Sequence, residues 1–379
     1  MKIFLVAGEH SGDQLGFKLM RALRAQASEA VEFAGVGGEA MQREGLVSLF
    51  PLEDIAVMGF VPVIRRLPQL LARIRQTVQA VIAARPDVLV LIDSPDFTHR
   101  VARLARKSLP ALKVVDYVSP TVWAWRPGRA KKMRAYVDHV LALLPFEPEA
   151  HRRLSGPACT YVGHPLIERL AELRPSPAER ERRDTDPPVL LILPGSRRSE
   201  IERLMPVFGE VLAEITAGFG EVDAVLPAVS HLEGKIREQI ALWPVKPRIF
   251  LGEAEKYAAF RCARAALAAS GTVTLELALS QVPMVVAYRV SRVEELLRFV
   301  ITAPSIVLPN LVLGNRAIPE FIQHDCTREK LVSALVPLMQ DNPARREQVA
   351  ALQKLDGLMQ LASGEAPSAC AARIVLAQA

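Results

Sequence analysis

Short apolar runs alternate with stretches of helical periodicity along almost the whole chain. The apolar runs predict strands at 2–7, 31–35, 87–92, 113–117, 139–144, 189–193, 222–226, 248–251, 265–269 and 283–288. The helical stretches lie between most of them, at 13–27, 66–84, 97–107, 199–217, 231–242, 272–280 and 328–340. This alternation is typical of parallel sheets covered by helices on both faces. The pattern therefore predicts an α/β protein with doubly wound sheets.

The alternation weakens once, in the charged and proline-rich stretch 171–188. A chain of 379 residues is also too long for one ordinary hydrophobic core. We therefore expect two Rossmann-like domains, 1–168 and 169–345, that face each other across a cleft and bind ligands beyond the carboxyl ends of their strands. Residues 346–379 are predicted to form helices, with a break at 364–367, that pack back on the N-terminal domain or on a partner subunit.

Composition argues against several classes of protein. No run of about 18 uncharged apolar residues is present, so no membrane-spanning helix is expected. The first strand begins within three residues of the start, which leaves no room for a signal peptide. The four cysteines lack the spacing of a metal or redox site and are expected to be reduced cytoplasmic thiols. The net charge of +6 is compatible with binding to nucleic acid, to an anionic membrane surface or to a phosphorylated substrate. Nucleic acid is the least supported of these, because the chain contains no nucleic-acid-binding motif.

A diphosphate site is predicted in the second half, where "LILPGSRRSEIERL" (191–204) is typical of a strand, a turn and a helix. Ser199 and Glu202 have the spacing of a capping box, which predicts that the helix begins there. Arg197 and Arg198 stand in the turn just before it. Free amides, the positive end of the helix dipole and a guanidinium together suit a diphosphate. A solvated basic loop is the alternative.

The stretch "LAASGTVTLELAL" (267–279) repeats this arrangement. Ser270 and Gly271 form the predicted turn, and a helix begins near Thr272 with its first amides facing outward. Glu276 lies one turn deeper on the same face, about 5.4 Å along the axis. That offset is near the one between the phosphates and the ribose of a nucleotide, so the Glu276 carboxylate is predicted to accept both ribose hydroxyls. An ordinary helix acid is the alternative.

In the first half, "FLVAGEHSGD" (4–13) has carboxylates where a dinucleotide site has bare glycine amides. Glu9 follows Gly8 directly, and Asp13 follows Gly12. Two acids beside a strand-to-helix turn would repel a phosphate. This loop is therefore predicted to face the half of the reaction that does not carry the diphosphate.

A candidate general base follows the buried strand in "VLVLIDSPDF" (88–97). Ser94 is predicted as the N-cap, Pro95 as N1 and Asp96 as N2 of the next helix. The helix dipole favours the ionised form of Asp96, and an anionic carboxylate at this edge can take a proton from an attacking hydroxyl. The alternative is that Asp93 and Asp96 only stabilise the helix start.

The loop "YVSPTVWAWRPGRAKKMRAY" (117–136) combines aromatic and basic residues. Trp123 and Trp125 are followed by Arg126 and four further cations within eight residues. Aromatic rings beside cations suit a sugar that carries a phosphate. Core tryptophans under a solvated helix are a close alternative.

An apolar, basic segment spans "VMGFVPVIRRLPQLLARIR" (57–75). Proline at 62 and 68 prevents one continuous helix. Apolar bulk edged by arginines is what an interfacial membrane element needs. A core helix with a solvated basic face explains the second half of the segment equally well. The residues predicted to touch the membrane are Val57, Met58, Phe60, Val61, Ile64, Arg65 and Arg66.

Eleven stretches, in order over nearly the whole chain, resemble the lipid-A-disaccharide synthase family: "AGEHSGD" (7–13), "GVGG" (35–38), "IAVMGF" (55–60), "IDSPDF" (92–97), "YVSPTVWAWR" (117–126), "LPFE" (144–147), "VGHP" (162–165), "LPGSRRSEI" (193–201), "ASGTVTLE" (269–276), "PMVVAYR" (283–289) and "LPNL" (308–311). The resemblance implies a GT-B fold and an inverting glycosyltransferase that needs no metal or other cofactor. It further implies transfer of 2,3-diacylglucosamine from UDP to the 6-hydroxyl of 2,3-diacylglucosamine 1-phosphate (lipid X), which gives a β-1,6-linked disaccharide and UDP.

The resemblance also implies roles for residues. Its important positions fall on Glu9, Ser11, Asp96, Arg197 and Asn310. With the arguments above, the catalytic candidates are Asp96 and Glu9, and the acceptor-binding candidates are Ser11, Trp123 and Arg126. The donor-binding candidates are Ser196, Arg197, Ser270, Gly271, Thr272, Glu276 and Asn310. Family members are peripheral on the cytoplasmic face of the bacterial inner membrane and can form dimers through exchanged C-terminal segments, and both properties are expected here.

Two positions depart from the family pattern. His10 stands where the family has a small residue, which puts the hydrogen bonding of Glu9 in question, and Pro62 stands where an acid is expected. Two other functions remain open from the residues. One is a non-hydrolysing UDP-sugar epimerase, which shares the fold and the "SGT…E" helix. The other is a non-catalytic protein that binds a nucleotide sugar or a lipid phosphate.

Overall fold

The computed structural model describes residues 1–56, 66–291 and 303–379. The chain divides into two compact units. The first comprises residues 1–168 and 360–379, and the second comprises residues 169–359. Among the described residues, no helix combines the length and the apolar composition that crossing a bilayer requires.

Each unit contains a six-stranded sheet. The strands are β1 Lys2–Ala7, β2 Glu32–Val36, β3 Val88–Ile92, β4 Lys113–Tyr117, β5 His139–Ala142 and β6 Ala158–Tyr161 in the first unit, and β7 Val189–Leu193, β8 Asp223–Ala228, β9 Arg248–Leu251, β10 Ala265–Ala269, β11 Met284–Tyr288 and β12 Glu320–Ile322 in the second. The helices of the first unit are α1 His10–Gln26, α2 Glu39–Arg43, α3 Leu67–Ala84, α4 Pro95–Ser108, α5 Gly128–Met133, α6 Glu147–Arg153 and, at the C-terminus, α16 Pro367–Gln378. Those of the second unit are α7 Leu170–Leu173, α8 Pro177–Asp184, α9 Arg198–Phe219, α10 Glu233–Ile240, α11 Glu253–Cys262, α12 Thr272–Leu279, α13 Leu308–Leu313, α14 Arg328–Met339 and α15 Pro343–Met359.

The first sheet has the strand order β2-β1-β3-β4-β5-β6 and is parallel throughout. Every residue of β3 is buried because apolar side chains cover both faces of the sheet. The direction of winding reverses between β1 and β3, whose last residues Ala7 and Ile92 are paired. In open parallel sheets, ligands bind beyond the carboxyl ends of strands at such a reversal.

The second sheet has the order β12-β11-β10-β7-β8-β9 and is also parallel. Its reversal lies between β7 and β10, where Leu193 pairs with Ala268. The two turns that the sequence analysis selected for a diphosphate and a ribose follow these two strands. The reversal therefore brings the two turns side by side within the second unit.

The predicted α/β class and two doubly wound sheets are confirmed. Ten strands lie where the apolar runs predicted them, within one or two residues at each end. The two strands missed, β6 and β12, form an edge of their sheets and are only partly buried, so their apolar pattern is weak. Helix α11 was also missed, because only Tyr257 and Phe260 among its ten residues are buried.

The C-terminal segment is divided between the units. Helix α15 belongs to the second unit, and α16 packs against α1 of the first unit. The side chain of Gln26 donates to the carbonyl of Ala369 at 3.0 Å, and the amide of Ser368 donates to Glu168 at 3.2 Å. The break between the helices falls at 360–366, which includes most of the predicted break. Exchange of this segment in a dimer stays a prediction.

The segment predicted to touch the membrane is described only in part. Val57, Met58, Phe60, Val61, Ile64 and Arg65 lie outside the described residues. Arg66 is exposed, and its guanidinium donates to the carbonyl of Glu53 at 3.2 Å. Helix α3 begins at the next residue, and the side chains of Leu67 and Leu71 in its first turns are 42% and 41% exposed.

Candidate functional site

A cluster of polar side chains occupies the reversal of the first sheet. The amide of Gly8 donates to the carbonyl of Ile92 at 3.2 Å, which holds the ends of β1 and β3 together. A Cβ atom on Gly8 would lie 2.1 Å from the Cβ of Ser94, so only glycine permits this approach. The hydroxyl of Ser94 then donates to Oε1 of Glu9 at 3.1 Å.

The turn after β3 has an unusual backbone. Asp93 and Ser94 both have positive φ, at 60° and 46°, in the region that non-glycine residues rarely adopt. Oδ1 of Asp93 accepts from the amide of Ser94 at 2.7 Å, and Oδ2 accepts from the hydroxyl of Ser11 at 3.3 Å. Ser94 precedes α4 as predicted, but its side chain makes no cap bond and serves Glu9 instead. The structure thus brings Glu9, Ser11, Asp93 and Ser94 together.

The second acid of the loop has a different role from the one predicted. Asp13 is completely buried, and its carboxylate accepts from the amides of Gly38, Ala40 and Met41 at 2.8 to 3.0 Å. It therefore stabilises the start of α2 and does not face a ligand. This part of the acid-loop prediction was wrong.

Asp96 lies at the second position of α4, as predicted. Its side chain is 77% exposed, and Oδ1 accepts from the guanidinium of Arg129 at 2.9 Å. An exposed carboxylate in this position is available to a substrate hydroxyl.

The two tryptophans of the basic loop differ in their surroundings. The indole of Trp123 donates to Oε1 of Glu147 at 3.1 Å and packs edge-to-face on Phe146, with ring centroids 5.1 Å apart. Its polar edge is thus used inside the unit, as the core alternative proposed, and acceptor binding by Trp123 stays a prediction. Arg126 is exposed and lies over the ring of Trp125 at 3.9 Å from the centroid.

Sequence reasoning missed the environment of Glu147, although "LPFE" marked the position. Burial raises the pKa of this carboxyl to about 7, while hydrogen bonds from Leu144, Trp123 and Leu143 act in the opposite direction. The amides of Leu143 and Leu144 donate to Oε2 at 3.1 and 3.0 Å. Glu147 therefore ties the tryptophan loop to the end of β5.

In the second unit, Glu200 organises the turn after β7. Its carboxylate accepts from the amides of Ser196 and Arg197 at 3.1 and 3.2 Å and from the guanidinium of Arg197 at 3.0 Å. Helix α9 begins at Arg198, so the predicted capping box of Ser199 and Glu202 is wrong. Glu202 instead accepts from the side chain of Arg198 at 2.9 Å.

This capping changes how the turn can bind an anion. The amides of Ser196 and Arg197 already serve an internal carboxylate, so they are not the free donors that the sequence analysis expected. The side chain of Arg197 is 59% exposed and remains the cation of the site. Gly195 has φ of 109°, and a Cβ atom there would lie 2.3 Å from Oε2 of Glu200.

The turn after β10 forms the other half of this site. Gly271 is the N-cap of α12, Thr272 is its exposed first residue, and a Cβ atom on Gly271 would meet open space. The first N–H groups of a helix have no intrahelical partner and suit an anion. Ser270 is less available than predicted, since its hydroxyl donates to the carbonyl of Ile306 at 2.6 Å.

Glu276 lies one turn into α12, and its side chain is 12% exposed. Both carboxylate oxygens accept from the ammonium of Lys256 at 3.0 Å, and Oε1 also accepts from the hydroxyl of Tyr257 at 3.2 Å. Lys256 and Tyr257 were not predicted because they lie on α11. Their contacts make Glu276 an oriented acceptor, whereas an ordinary helix acid would be solvated.

Asn310 is buried and makes internal hydrogen bonds. It is 2% exposed, and its amide bonds both the carbonyl and the N–H of Ile318, at 2.8 and 2.9 Å. It joins α13 to the segment before β12. Donor binding by Asn310 stays a prediction.

In residues 1–56, 66–291 and 303–379, no three His, Cys, Asp or Glu side chains form a group that could hold a metal ion. The polar groups of the two reversals include carboxylates that contact serine hydroxyls, arginine or lysine, together with helix N-termini.

Both the sequence and the fold of this chain are similar to those of known proteins. A family model described as "Lipid-A-disaccharide synthetase" matches residues 3–375. The chain is 60% identical over 377 residues to lipid-A-disaccharide synthase of Nitrobacter hamburgensis, a match that covers 99% of this chain and 95% of the relative. Among solved structures it is similar to UDP-GlcNAc 2-epimerase from Neisseria meningitidis bound to UDP-GlcNAc, with a TM-score of 0.62, 12% identity and coverage of 100% and 99% of the two chains. It is also similar to the glycotransferase of kitacinnamycin, with a TM-score of 0.63, 19% identity and coverage of 100% and 98%.

Proposed function

This chain belongs to the lipid-A-disaccharide synthase family, and on that premise we propose that it transfers 2,3-diacylglucosamine from UDP-2,3-diacylglucosamine to the 6-hydroxyl of 2,3-diacylglucosamine 1-phosphate. The products are the β-1,6-linked disaccharide 1-phosphate and UDP. The protein is a glycosyltransferase of lipid A biosynthesis with two Rossmann-like units of the GT-B type. The family match over almost the whole chain is the observation that carries the proposal.

The polar groups at the two sheet reversals support separate binding sites for the donor and the acceptor. The donor is proposed to bind the second unit, where Arg197 meets the diphosphate, the start of α12 assists it and Glu276 accepts the ribose hydroxyls. The acceptor sugar is proposed to bind the first unit, at Glu9, Ser11 and Asp96. We further propose that transfer needs no metal ion, since the Arg197 guanidinium and the amides of α12 supply positive charge to the leaving diphosphate.

The epimerase alternative rests on fold likeness at 12% identity, which does not carry function. Mass spectrometry of a reaction with both proposed substrates, run in EDTA, tests the proposal. We expect a disaccharide 1-phosphate and one UDP for each molecule formed. An isomer made from the UDP-sugar alone would favour an epimerase, and the absence of any turnover would favour a binding protein. Activity that disappears in EDTA and returns with magnesium would overturn the metal-free reaction alone.

Replacing Glu276 with alanine is expected to weaken UDP binding by roughly 1–3 kcal/mol, the scale for hydrogen bonds to a charged group. The physical reason is that both ribose hydroxyls lose their acceptor. Calorimetry with UDP and with 2′-deoxy-UDP measures the effect. Wild-type protein should prefer UDP, and the Glu276→Ala variant should lose most of that preference.

Glu255→Ala is the matched control, because Glu255 is an exposed acid of the neighbouring helix α11. It should bind UDP like the wild type. If the Glu276→Ala variant still distinguishes the two nucleotides as well as the wild type does, the ribose assignment fails.

The segment 57–75 is proposed to dock on an anionic phospholipid surface, the cytoplasmic face of the inner membrane. The exposed leucines at the start of α3 support this, since they continue the apolar character of the preceding residues. We expect that a variant with serine in place of Met58, Phe60, Val61 and Ile64 no longer binds phosphatidylglycerol vesicles. Calorimetry should show that its UDP binding is unchanged.

Replacing Leu242 and Leu358 with serine provides the control for surface apolarity, because these side chains are 80% and 45% exposed and lie far from 57–75 in the sequence. This control should sediment with vesicles like the wild type. Equal sedimentation by the 57–64 variant would remove the membrane assignment.

A further inference from the structure

A concave pocket of the first unit collects positive charge. Arg103, Arg126, Arg129, Lys132 and Tyr136 line it together with small residues, and its volume is about 620 Å³. We call it the cationic pocket. It is formed by α4, α5 and the loop before α5, and α4 also carries Asp96 near its start.

The charge of the cationic pocket is not balanced by its surroundings. Arg129 is paired with Asp96 at 2.9 Å. In the part of the chain that the structure describes, no carboxylate lies within 4.0 Å of the charged groups of Arg103, Arg126 or Lys132. Four cations and one carboxylate leave a net charge of +3 around one concave surface. Like charges held together in this way repel one another, which is the arrangement expected where an anion binds.

The pocket also has the size and polarity for more than a free anion. A volume of about 620 Å³ lies within the range of small-molecule sites and exceeds what one phosphate group fills. The hydroxyl of Tyr136 bonds Nδ1 of His99 at 3.3 Å, and His99 in turn bonds Asp116 at 3.0 Å. The tyrosine edge of the pocket is therefore anchored to buried groups behind it.

We propose that the cationic pocket binds the phosphate monoester of the acceptor sugar. This inference rests on the proposed function, which supplies an acceptor with a phosphate at C1 and an attacking hydroxyl at C6. Arg129 connects the two requirements, because the same guanidinium lines the pocket and holds Asp96. An acceptor whose phosphate lies among the cations would have its sugar ring beside the candidate base.

The geometry also links binding to activation. A phosphate dianion competes with Asp96 for the guanidinium of Arg129. When the phosphate draws Arg129 toward the pocket, Asp96 loses part of its ion pair, and Oδ1 becomes accessible to the acceptor hydroxyl. An acceptor without the phosphate would leave Asp96 paired with Arg129.

The test compares two double variants that lose the same charge. Arg103→Ala with Lys132→Ala removes two cations from the pocket. Lys131→Ala with Arg134→Ala removes two exposed cations of the same region that do not line it. Each is assayed at saturating donor with the acceptor 1-phosphate and with the same acceptor lacking its phosphate.

For the phosphorylated acceptor, the pocket variant should lose roughly 10- to 100-fold in kcat/KM, chiefly through KM, as expected for two lost hydrogen bonds that each contribute a factor of about 3 to 10. Its rate with the acceptor lacking phosphate should change little. The control variant should keep the wild-type preference for the phosphorylated acceptor. Equal losses on both acceptors, or equal losses in both variants, would overturn the proposal.

Two further measurements separate other outcomes. Sedimentation with phosphatidylglycerol vesicles tests whether the pocket binds a phospholipid headgroup. If the pocket variant loses vesicle binding but keeps its preference for the phosphorylated acceptor, the pocket is a headgroup site and the inference is overturned. Titration with glucosamine 1-phosphate decides the case of an inactive wild type. If wild-type protein shows no transfer, the proposed function fails. Binding of glucosamine 1-phosphate by the wild type but not by the pocket variant would still support a sugar-phosphate pocket. If the wild type does not bind glucosamine 1-phosphate, the pocket proposal is refuted.

Discussion

Replacing Asp96 with asparagine is expected to lower kcat by about 10²- to 10⁴-fold while the affinity for the donor stays nearly unchanged. An inverting transfer takes one displacement, in which the acceptor hydroxyl attacks as UDP leaves, and the hydroxyl must lose its proton as the bond forms. The Asp96 carboxylate is exposed at the N-terminus of α4 and lies 2.9 Å from the guanidinium of Arg129. Asparagine keeps the shape and the helix start but cannot take the proton. Initial rates of UDP release give kcat, and calorimetry gives the donor affinity.

Glu9→Gln decides between the two candidate bases. Glu9 accepts a hydrogen bond from Ser94 and lies in the same cluster as Ser11, which suits a role in orienting the acceptor sugar. If Asp96→Asn keeps most of its turnover while Glu9→Gln loses it, the base is Glu9 and the assignment to Asp96 is wrong.

Replacing Arg197 with alanine is expected to lower kcat/KM for the donor by about 10²- to 10³-fold, the scale for removing one donor that stabilises developing charge. UDP leaves with negative charge growing on its diphosphate, and Arg197 is the cation of the donor turn. Glu200 holds one guanidinium nitrogen at 3.0 Å while most of the side chain stays exposed. The group is therefore oriented before the substrate arrives. Steady-state kinetics measures the loss in kcat/KM, and calorimetry with UDP measures how much of it comes from weaker binding.

Arg198→Ala is the matched control for charge. Arg198 is the next residue, is 73% exposed and pairs with Glu202 along the surface of α9. It should retain wild-type kinetics, because its guanidinium is not part of the donor turn. Similar losses in both variants would indicate a general effect of charge and would contradict a specific role for Arg197.

Prediction from the sequence was most successful where the information is local. The apolar runs of the central strands and the turn residues after β1, β3, β7 and β10 are short patterns, and they located the ends of the strands at both reversals. It was less successful at the helix starts. The spacing of Ser199 and Glu202 fits a capping box, but Glu200 caps the helix because Gly195 leaves room for its carboxylate.

The same limit applies to side chains of one type within a single loop. Glu9 and Asp13 are both acids after a glycine, and nothing local distinguishes them. The partners of Asp13 are amides 25 to 28 residues away, and the partner of Glu9 is a hydroxyl 85 residues away. The two tryptophans of the basic loop differ for a similar reason, since Glu147 takes the indole N–H of Trp123.

By itself, the sequence determined the order and type of most elements, the two doubly wound sheets and the turns at which polar residues gather, because hydrophobic period and turn chemistry depend on neighbours in the chain. Only the tertiary structure decided which of those polar residues face a ligand. It buried Asp13 and Asn310 among backbone partners, oriented Glu276 through Lys256 of a helix that the sequence did not predict, and placed Arg129 between Asp96 and the cationic pocket. The physical reason is that the ionisation and direction of a polar side chain depend on partners that folding brings from distant parts of the chain.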